Sequence, residues 1–259
     1  MDLIKLRRRC TVTATGEILE ALDSPKKLSA AIASTAEIAP DRPVKGKTFA
    51  LWEHEVPVPT DKLECMNMHP NKNGERILEA KLINEQPESN AWASLVAWQV
   101  PLYDAQEREG WGAVDLLGLN EQRFPIIVEL KVGNNHGCTP LAALLEALSY
   151  AVVVTERWGK LSEELCRVPE IMPARVVLNK VGLVILAPQA YWTHWQKSRG
   201  KFAAHINGFN TLLNRLRENG FTINLCCLDS ESKPTCIRSR KTLPSSNANP
   251  LGFNQWENG

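Results

Sequence analysis

Residues 113–131, AVDLLGLNEQRFPIIVELK, carry the strongest fold signal in the chain, because two apolar runs flank a short polar segment. The first run contains Asp115, and the second contains Glu129 and Lys131. Burying an ionised carboxylate or ammonium among aliphatic side chains costs free energy unless another charge or a metal compensates it. Three such groups so close in sequence indicate a shared compensator, for which a divalent metal is the natural candidate.

Both apolar runs are typical of β-strands, which we predict at 113–119 and 124–132 with a polar hairpin connection between them. From Ile126 onward the second run is almost purely apolar, which predicts burial on both faces of a sheet. Alternate residues of a strand share a face, so Glu129 and Lys131 should point the same way. If the two strands are neighbours, Asp115 can join them at one end of the sheet.

Hydrophobic periodicity and turn residues predict the remaining elements. Helices are predicted at 17–22, 26–38, 74–83, 89–98, 139–155 and 202–216, and further strands at 99–103, 181–186 and 221–228. The 139–155 helix should turn a leucine stripe towards the core, so that its opposite side could face a cleft. This order predicts an α/β fold with a mixed central sheet flanked by helices, in which a right-handed helical crossover makes the third and fourth strands parallel.

Composition shifts and turn residues divide the chain into three predicted regions. We expect an N-terminal extension of unknown role at 1–70, the main α/β domain at 71–240, and a flexible polar tail at 241–259. Prolines at 40 and 43 and the turn sequence HPNKNG at 69–74 favour a boundary near residue 70.

The composition is that of a globular protein, with 44% hydrophobic and 23% charged residues, and the net charge of +1 means that any nucleic-acid surface must be local. No apolar run approaches the roughly 18 residues of a membrane helix, so no membrane association is expected. The N-terminus lacks the apolar segment of a secretory signal. The seven scattered cysteines show no Cys-x-x-Cys spacing, which favours a reducing, cytoplasmic location.

Asp115, thirteen intervening residues and then Glu129-Leu130-Lys131 on an apolar strand resemble the motif of the PD-(D/E)xK nuclease superfamily, which includes restriction endonucleases and RecB-like nucleases. The resemblance implies a restriction endonuclease-like fold and hydrolysis of phosphodiester bonds with Mg²⁺ or Mn²⁺. By the same resemblance, Asp115 and Glu129 would be metal ligands, the Leu130 carbonyl a third ligand, and Lys131 the catalytic lysine. Val114 stands where the family usually has proline, a departure that does not touch the chemistry.

The resemblance also extends to the helices around the motif. RecB-like members carry a Gln-x-x-x-Tyr pair in the following helix, where this chain has Glu146 and Tyr150. Residues four apart share a helix face, so both could line the site, although glutamate in place of glutamine repels phosphate unless it also contacts the metal. Related families supply another acid from the first helix of the domain. Glu79 is the candidate ligand here, with Glu75 and Glu85 as alternatives.

Three further features allow both a functional and a structural interpretation. His136, in the loop after the motif, could touch phosphate or could be a plain loop histidine. The aromatic sequence YWTHW at 191–195 could stack bases, cover the sheet edge or form a homodimer contact. The basic groups at 5–9 and 238–241 could contact phosphates or could be solvated chain ends.

The function that these features favour is a metal-dependent deoxyribonuclease with DNA as its partner, acting in repair, restriction or defence. The alternative is a catalytically inactive protein of the same fold, used for nucleic-acid binding or for complex assembly, because a fold does not determine a function. Complete retention of Asp115, Glu129 and Lys131 favours activity.

Overall fold

The computed structural model describes residues 1–39, 72–87, 89–102, 112–132, 138–165, 176–197 and 199–228. The helices in order are α1 (Leu3–Arg9), α2 (Thr15–Ala21), α3 (Pro25–Glu37), α4 (Lys72–Glu85), α5 (Pro140–Glu156), α6 (Trp158–Leu165), α7 (Gln189–Lys197) and α8 (Arg199–Glu218), with a short 3₁₀ turn at Leu178–Lys180. The strands are β1 (Ser94–Pro101), β2 (Ala113–Leu119), β3 (Pro125–Leu130), β4 (Gly182–Pro188) and β5 (Ile223–Leu228).

The five strands form one mixed sheet in the order β1-β2-β3-β4-β5. The pairs β1–β2 and β2–β3 are antiparallel, whereas the pairs β3–β4 and β4–β5 are parallel. The α/β class and the mixed sheet flanked by helices are therefore confirmed, as is the parallel pairing of the third and fourth predicted strands. A parallel pair needs a long connection between its strands, and α5 and α6 lie within this one.

Helices cover the sheet on both faces, and the alternation of strand side chains assigns each residue to one of them. Leu117 and Ile127 belong to the larger core on the α5 face, which also includes residues of α1, α3 and α8. Leu116 and Val128 belong to a smaller core, which they share with Leu78 of α4. Asp115 and Glu129 therefore face α5, because each lies two positions from a residue on that side.

Helix α5 begins as its sequence predicts. The Thr139 hydroxyl accepts a hydrogen bond from the Ala142 N–H at 3.1 Å, and Pro140 occupies the first helical position. The predicted division of this helix into a leucine stripe and a cleft-facing side is wrong, because every residue from Pro140 to Val154 is buried. Its outer side is covered by α1 and α3, which belong to the 1–70 region and share the core through Leu3, Leu6 and Leu28.

Two further predictions differ from the structure at the start of the sheet. The helix predicted at 89–98 is wrong, and β1 begins at Ser94, five residues before the strand predicted at 99–103. Leu95 and Ala97 would share a face in a regular strand, but a bulge between them places them, both fully buried, against opposite faces. The bulge interrupts the alternation by which a strand is recognised in a sequence. Cross-strand pairing with β2 therefore outweighed the local helical pattern.

The aromatic sequence at 191–195 lies in α7, which was not predicted. Tyr191, Trp192 and Trp195 are buried, and the Trp192 indole N–H donates to the Cys226 carbonyl at 3.1 Å. Stacking of bases on these three rings is therefore wrong, since they cover β4 and β5. Within the described ranges, no helix has both the length and the apolar character needed to cross a membrane.

Candidate functional site

The β2–β3 hairpin brings Asp115 and Glu129 together. Leu116 pairs with Val128 in the antiparallel register, so the next position places Asp115 opposite Glu129. The backbone N–H of Leu130 donates to Asp115 Oδ2 at 2.8 Å. At the end of the β2–β3 pairing, the Asp115 carboxylate thus accepts the backbone N–H of β3. This hydrogen bond holds the Asp115 side chain against the 129–131 motif.

Lys131 follows β3 directly, and its backbone N–H donates to the Leu186 carbonyl at 2.8 Å. Its ammonium contacts Glu129 Oε1 and lies 3.5 Å from Glu146 Oε2 on α5. Glu129 and Lys131 are both buried, as is Glu146, whereas Asp115 keeps part of its surface accessible. The predicted shared face of Glu129 and Lys131 is thus the face that α5 covers.

Glu146 is the second acid held by Lys131, and it has two further partners. The Tyr150 hydroxyl donates to Glu146 Oε1 at 2.9 Å, as expected for residues one helical turn apart. Arg7 of α1 places Nη2 at 2.5 Å from the same oxygen, and its guanidinium lies 5.9 Å from the centre of the Tyr150 ring. We use the name charged cluster for Asp115, Glu129, Lys131, Glu146 and Arg7.

Burial and mutual repulsion act on the acids of the charged cluster. Burial raises the pKa of Asp115 to about 7, although Lys131 and the Leu130 N–H oppose this rise. Burial and the neighbouring carboxylates Asp115 and Glu146 hold the pKa of Glu129 well above its ordinary value. The cluster therefore holds acids that ionise with difficulty, a property that clusters at functional sites.

The cations of the cluster stabilise the charge of Glu146 and are stabilised in return. Burial acts to raise the pKa of Glu146, but Lys131 and Arg7 outweigh it, so this pKa lies below its ordinary value. Burial acts to lower the pKa of Lys131, but Glu129 above all raises it well above the ordinary value. Lys131 is therefore a cation in this arrangement rather than a proton acceptor.

Two buried polar atoms of the charged cluster have no hydrogen-bond partner among the described residues. They are Oε2 of Glu129 and Nη1 of Arg7. Unpartnered buried atoms of this kind are uncommon, since most buried polar groups are hydrogen-bonded. One is an acceptor suited to a cation, and the other is a donor suited to an anion.

The candidate fourth acids lie in three different surroundings. Glu79 is buried in α4, and its Oε2 accepts a hydrogen bond from Gln99 Nε2 at 2.7 Å. Gln99 lies opposite Asp115 in the β1–β2 register and has a φ of 47°, which is unusual outside glycine. Glu85 is exposed and lies 3.5 Å from Lys81.

Glu75 is the α4 acid whose charge affects a pKa within the charged cluster. Burial raises its pKa, while Lys131 and a hydrogen bond to the Val132 backbone oppose the rise. It also contributes to the raised pKa of Asp115. The structure therefore brings Glu75 to the edge of the cluster, and it connects Glu79 to the neighbouring strand through Gln99. His136 lies outside the described residues.

The donor chemistry of the cluster fits a hard divalent cation, since Asp115 and Glu129 offer carboxylate oxygens and one of these is buried and unpartnered. Among the described residues, however, no three His, Cys, Asp or Glu side chains are grouped so that they could hold a metal ion. The ammonium of Lys131 lies between Glu129 and Glu146 instead.

Sequence analysis missed Arg7 and Gln99 as neighbours of the motif. Arg7 was one of several basic residues near the N-terminus, and its spacing carried no sign that α1 packs on α5. Gly112 was also missed: a Cβ there would lie 2.2 Å from the Tyr150 hydroxyl, so this position admits Tyr150 only because it is glycine.

Comparison with known proteins adds no relative. No protein-family model, no curated protein and no solved structure matches this chain.

Proposed function

We propose that this protein is a metal-dependent nuclease of restriction endonuclease-like fold that hydrolyses phosphodiester bonds in DNA. The observation that carries the proposal is the meeting of Asp115, Glu129 and Lys131 at one end of β2 and β3, on one face of the sheet. Burying three charges there is costly. A reaction that needs two carboxylates and a cation at one point explains their presence better than stability does.

Asp115, Glu129 and the Leu130 carbonyl would hold Mg²⁺ or Mn²⁺. When bound, such an ion makes a coordinated water more acidic and neutralises charge on a phosphate. The hydrogen bond from the Leu130 N–H orients the Asp115 carboxylate before any ion arrives. Lys131 would stabilise the negative charge that develops on the phosphate during hydrolysis.

Glu146 and Tyr150 would act by positioning Lys131. Glu146 accepts the Tyr150 hydroxyl and lies within 3.5 Å of the Lys131 ammonium, so it holds the lysine near the end of the sheet. A glutamate suits this position because two cations, Arg7 and Lys131, balance its negative charge. Its repulsion of a phosphate is reduced accordingly. The departure from the glutamine of RecB-like nucleases is then compensated by Arg7.

A second candidate function is nucleic-acid binding or complex assembly without catalysis. The observation that favours it is that Lys131 and Arg7 already neutralise Glu129 and Glu146. A cluster that satisfies its own charges has less need of a metal. Thermal unfolding with and without Mn²⁺ separates the two candidates. A bound metal at a free concentration of a hundred times its dissociation constant raises the free energy of unfolding by about 2.7 kcal/mol.

The decisive experiment is cleavage of linear, circular and single-stranded DNA, and of RNA, with Mg²⁺ or Mn²⁺. We expect Asp115→Ala, Glu129→Ala and Lys131→Ala each to lower the rate by about 100-fold or more, the size of effect seen when one transition-state stabilising group is removed. Glu121→Ala is the matched control, because Glu121 is exposed in the turn of the same hairpin. Cleavage that survives all three site substitutions would reject this site, and absence of cleavage with every substrate would favour the second candidate.

A further inference from the structure

Helix α1 is held firmly enough to place a side chain in the charged cluster. Leu3 and Leu6 are buried in the main core, and the Leu3 N–H donates to the Thr35 hydroxyl of α3 at 2.9 Å. Asp2 caps the helix by accepting the Lys5 N–H at 2.8 Å. Arg7 is thus presented from a fixed helix and not from a loose chain end.

The contacts of Arg7 leave part of its guanidinium group unused. Nη2 bonds Glu146, and the group lies beside the Tyr150 ring, whereas the buried Nη1 has no partner among the described residues. About a quarter of the side chain, 26%, remains exposed. Glu146 and Tyr150 therefore hold the guanidinium in one orientation, with part of the side chain still accessible to an acceptor from solvent.

The missing acceptor should be an anion. A guanidinium group is always charged, and its planar fork matches the oxygens of a carboxylate or phosphate. Glu129 and Glu146 already contact Lys131, and no carboxylate among the described residues hydrogen-bonds Arg7 Nη1. We therefore expect a further anion from outside the described part of the chain.

We propose that Arg7 binds a backbone phosphate of the nucleic acid, with Glu146 and Tyr150 positioning its guanidinium group. The identity of the anion rests on the proposed function. The 1–70 region then contributes to substrate binding through α1, because the phosphate contact comes from outside the predicted α/β domain.

The test is binding of a fluorescent single-stranded or double-stranded DNA oligonucleotide without added metal, so that binding is measured apart from cleavage. Arg7→Lys keeps the charge and removes the fork, and we expect it to weaken binding about tenfold or more, as for loss of a hydrogen bond to a charged group. The slope of log affinity against log salt should fall by about one in Arg7→Gln. Arg8→Lys is the control, because Arg8 is exposed on the same helix.

The double variant Arg7→Gln/Glu146→Gln distinguishes a phosphate contact from a purely structural role of Arg7. It removes both members of the ion pair and so leaves no unpaired charge. If Arg7 contacts phosphate, the double variant binds as weakly as Arg7→Gln. Recovery of binding in the double variant, an equal loss in Arg8→Lys, or no binding by the wild-type protein would each overturn the inference. Inorganic phosphate at the same concentration as the phosphate groups of the oligonucleotide should not compete for binding. If it does compete, the site binds a small anion and the inference is overturned.

Failure of this inference and failure of the proposed function give different results. Metal-dependent cleavage that is unaffected by Arg7→Lys would reject the phosphate contact and leave the nuclease proposal intact. Oligonucleotide binding that depends on Arg7, in a protein that cleaves no substrate, would support the contact and favour the non-catalytic candidate.

Discussion

The charged cluster and the contact between α2 and α8 both bury polar side chains, but they deal with the cost in opposite ways. In the α2–α8 contact, His205 is fully buried, its Nδ1 lies 2.6 Å from the Thr15 hydroxyl, and its ring packs on Trp195. Burial lowers the pKa of His205 to about 4, so the ring is neutral at physiological pH. The charged cluster keeps the charges of Lys131, Arg7 and Glu146 and offsets them against one another, while burial opposes the ionisation of Asp115 and Glu129.

The two ways of meeting the cost of burial suit different roles. A single buried group avoids the cost of burial by losing its charge, as His205 does. Several charges are kept together only where neighbours hold them, and buried ion pairs are poor stabilisers compared with apolar packing. We therefore interpret the α2–α8 contact as structural and the charged cluster as functional.

The largest expected effect is that of Lys131→Met, which leaves Glu129 and Glu146 without their shared cation. Removing one partner of a buried ion pair costs about 3–5 kcal/mol. The control is Lys27→Met, since Lys27 forms a half-exposed pair with Asp23 at 3.0 Å and should contribute only about 0–1 kcal/mol. Urea unfolding at pH 8 measures both values. Equal losses in the two variants would mean that the cluster is no more buried than the surface pair.

The next largest effect is the pH dependence contributed by His205. Its pKa is about 4 in the folded protein against an ordinary value of 6.5, so the unfolded chain binds a proton between these values that the folded protein does not. The stabilisation is complete above pH 6.5 and is lost as the pH falls towards 4, by up to about 1.4 kcal/mol per pH unit. His205→Gln should remove this slope, whereas Thr15→Ser should retain it. An unchanged slope in His205→Gln would show that the ring is not buried as a neutral group.

Asp115→Asn should have a smaller effect of the opposite sign. The pKa of Asp115 is raised from 3.8 to about 7, so the folded protein holds a proton that the unfolded chain releases, and stability falls as the pH rises through this window. Asparagine keeps the acceptor for Leu130 and carries no charge, so it should stabilise the metal-free protein by about 1–2 kcal/mol at pH 8. Because His205 acts in the same pH range with the opposite sign, each variant must be compared with wild type at every pH. A loss of stability at pH 8 in Asp115→Asn would contradict the unfavourable ionisation of Asp115.

The smallest effect concerns the packing of the α2–α8 contact. A Cβ at Gly208 would lie 2.7 Å from Thr15 Cγ2 and 2.8 Å from Leu19 Cδ1. Crowding costs about 1–3 kcal/mol, and the gain in helix propensity returns up to about 1 kcal/mol, so Gly208→Ala should destabilise by about 1 kcal/mol. Gly159→Ala is the control, since no atom lies within 4 Å of its Cβ, and it should be neutral or slightly stabilising. If the two variants unfold at the same temperature, α2 and α8 pack less closely than these distances indicate.

Sequence analysis predicted the centre of the molecule better than its margins. The β2 strand, the start of α5 and the parallel pairing of β3 with β4 follow from local pattern, because alternation, helix capping and a long crossover are properties of neighbouring residues. The helix predicted at 89–98 is wrong, because a bulge in β1 breaks the alternation and pairing with β2 decides the conformation. The cleft predicted beside Glu146 is covered by a helix from the other end of the chain.

Local sequence is enough to put Glu129 and Lys131 on one face and to bring Asp115 within reach of them, since strand parity and a short hairpin leave few alternatives. The contacts of Glu146 with Lys131 and of Arg7 with Glu146, and the approach of Glu75 from α4, follow instead from tertiary packing. These contacts join residues far apart along the chain. They depend on which helices pack together to bury apolar surface, and no local pattern of charges specifies that packing.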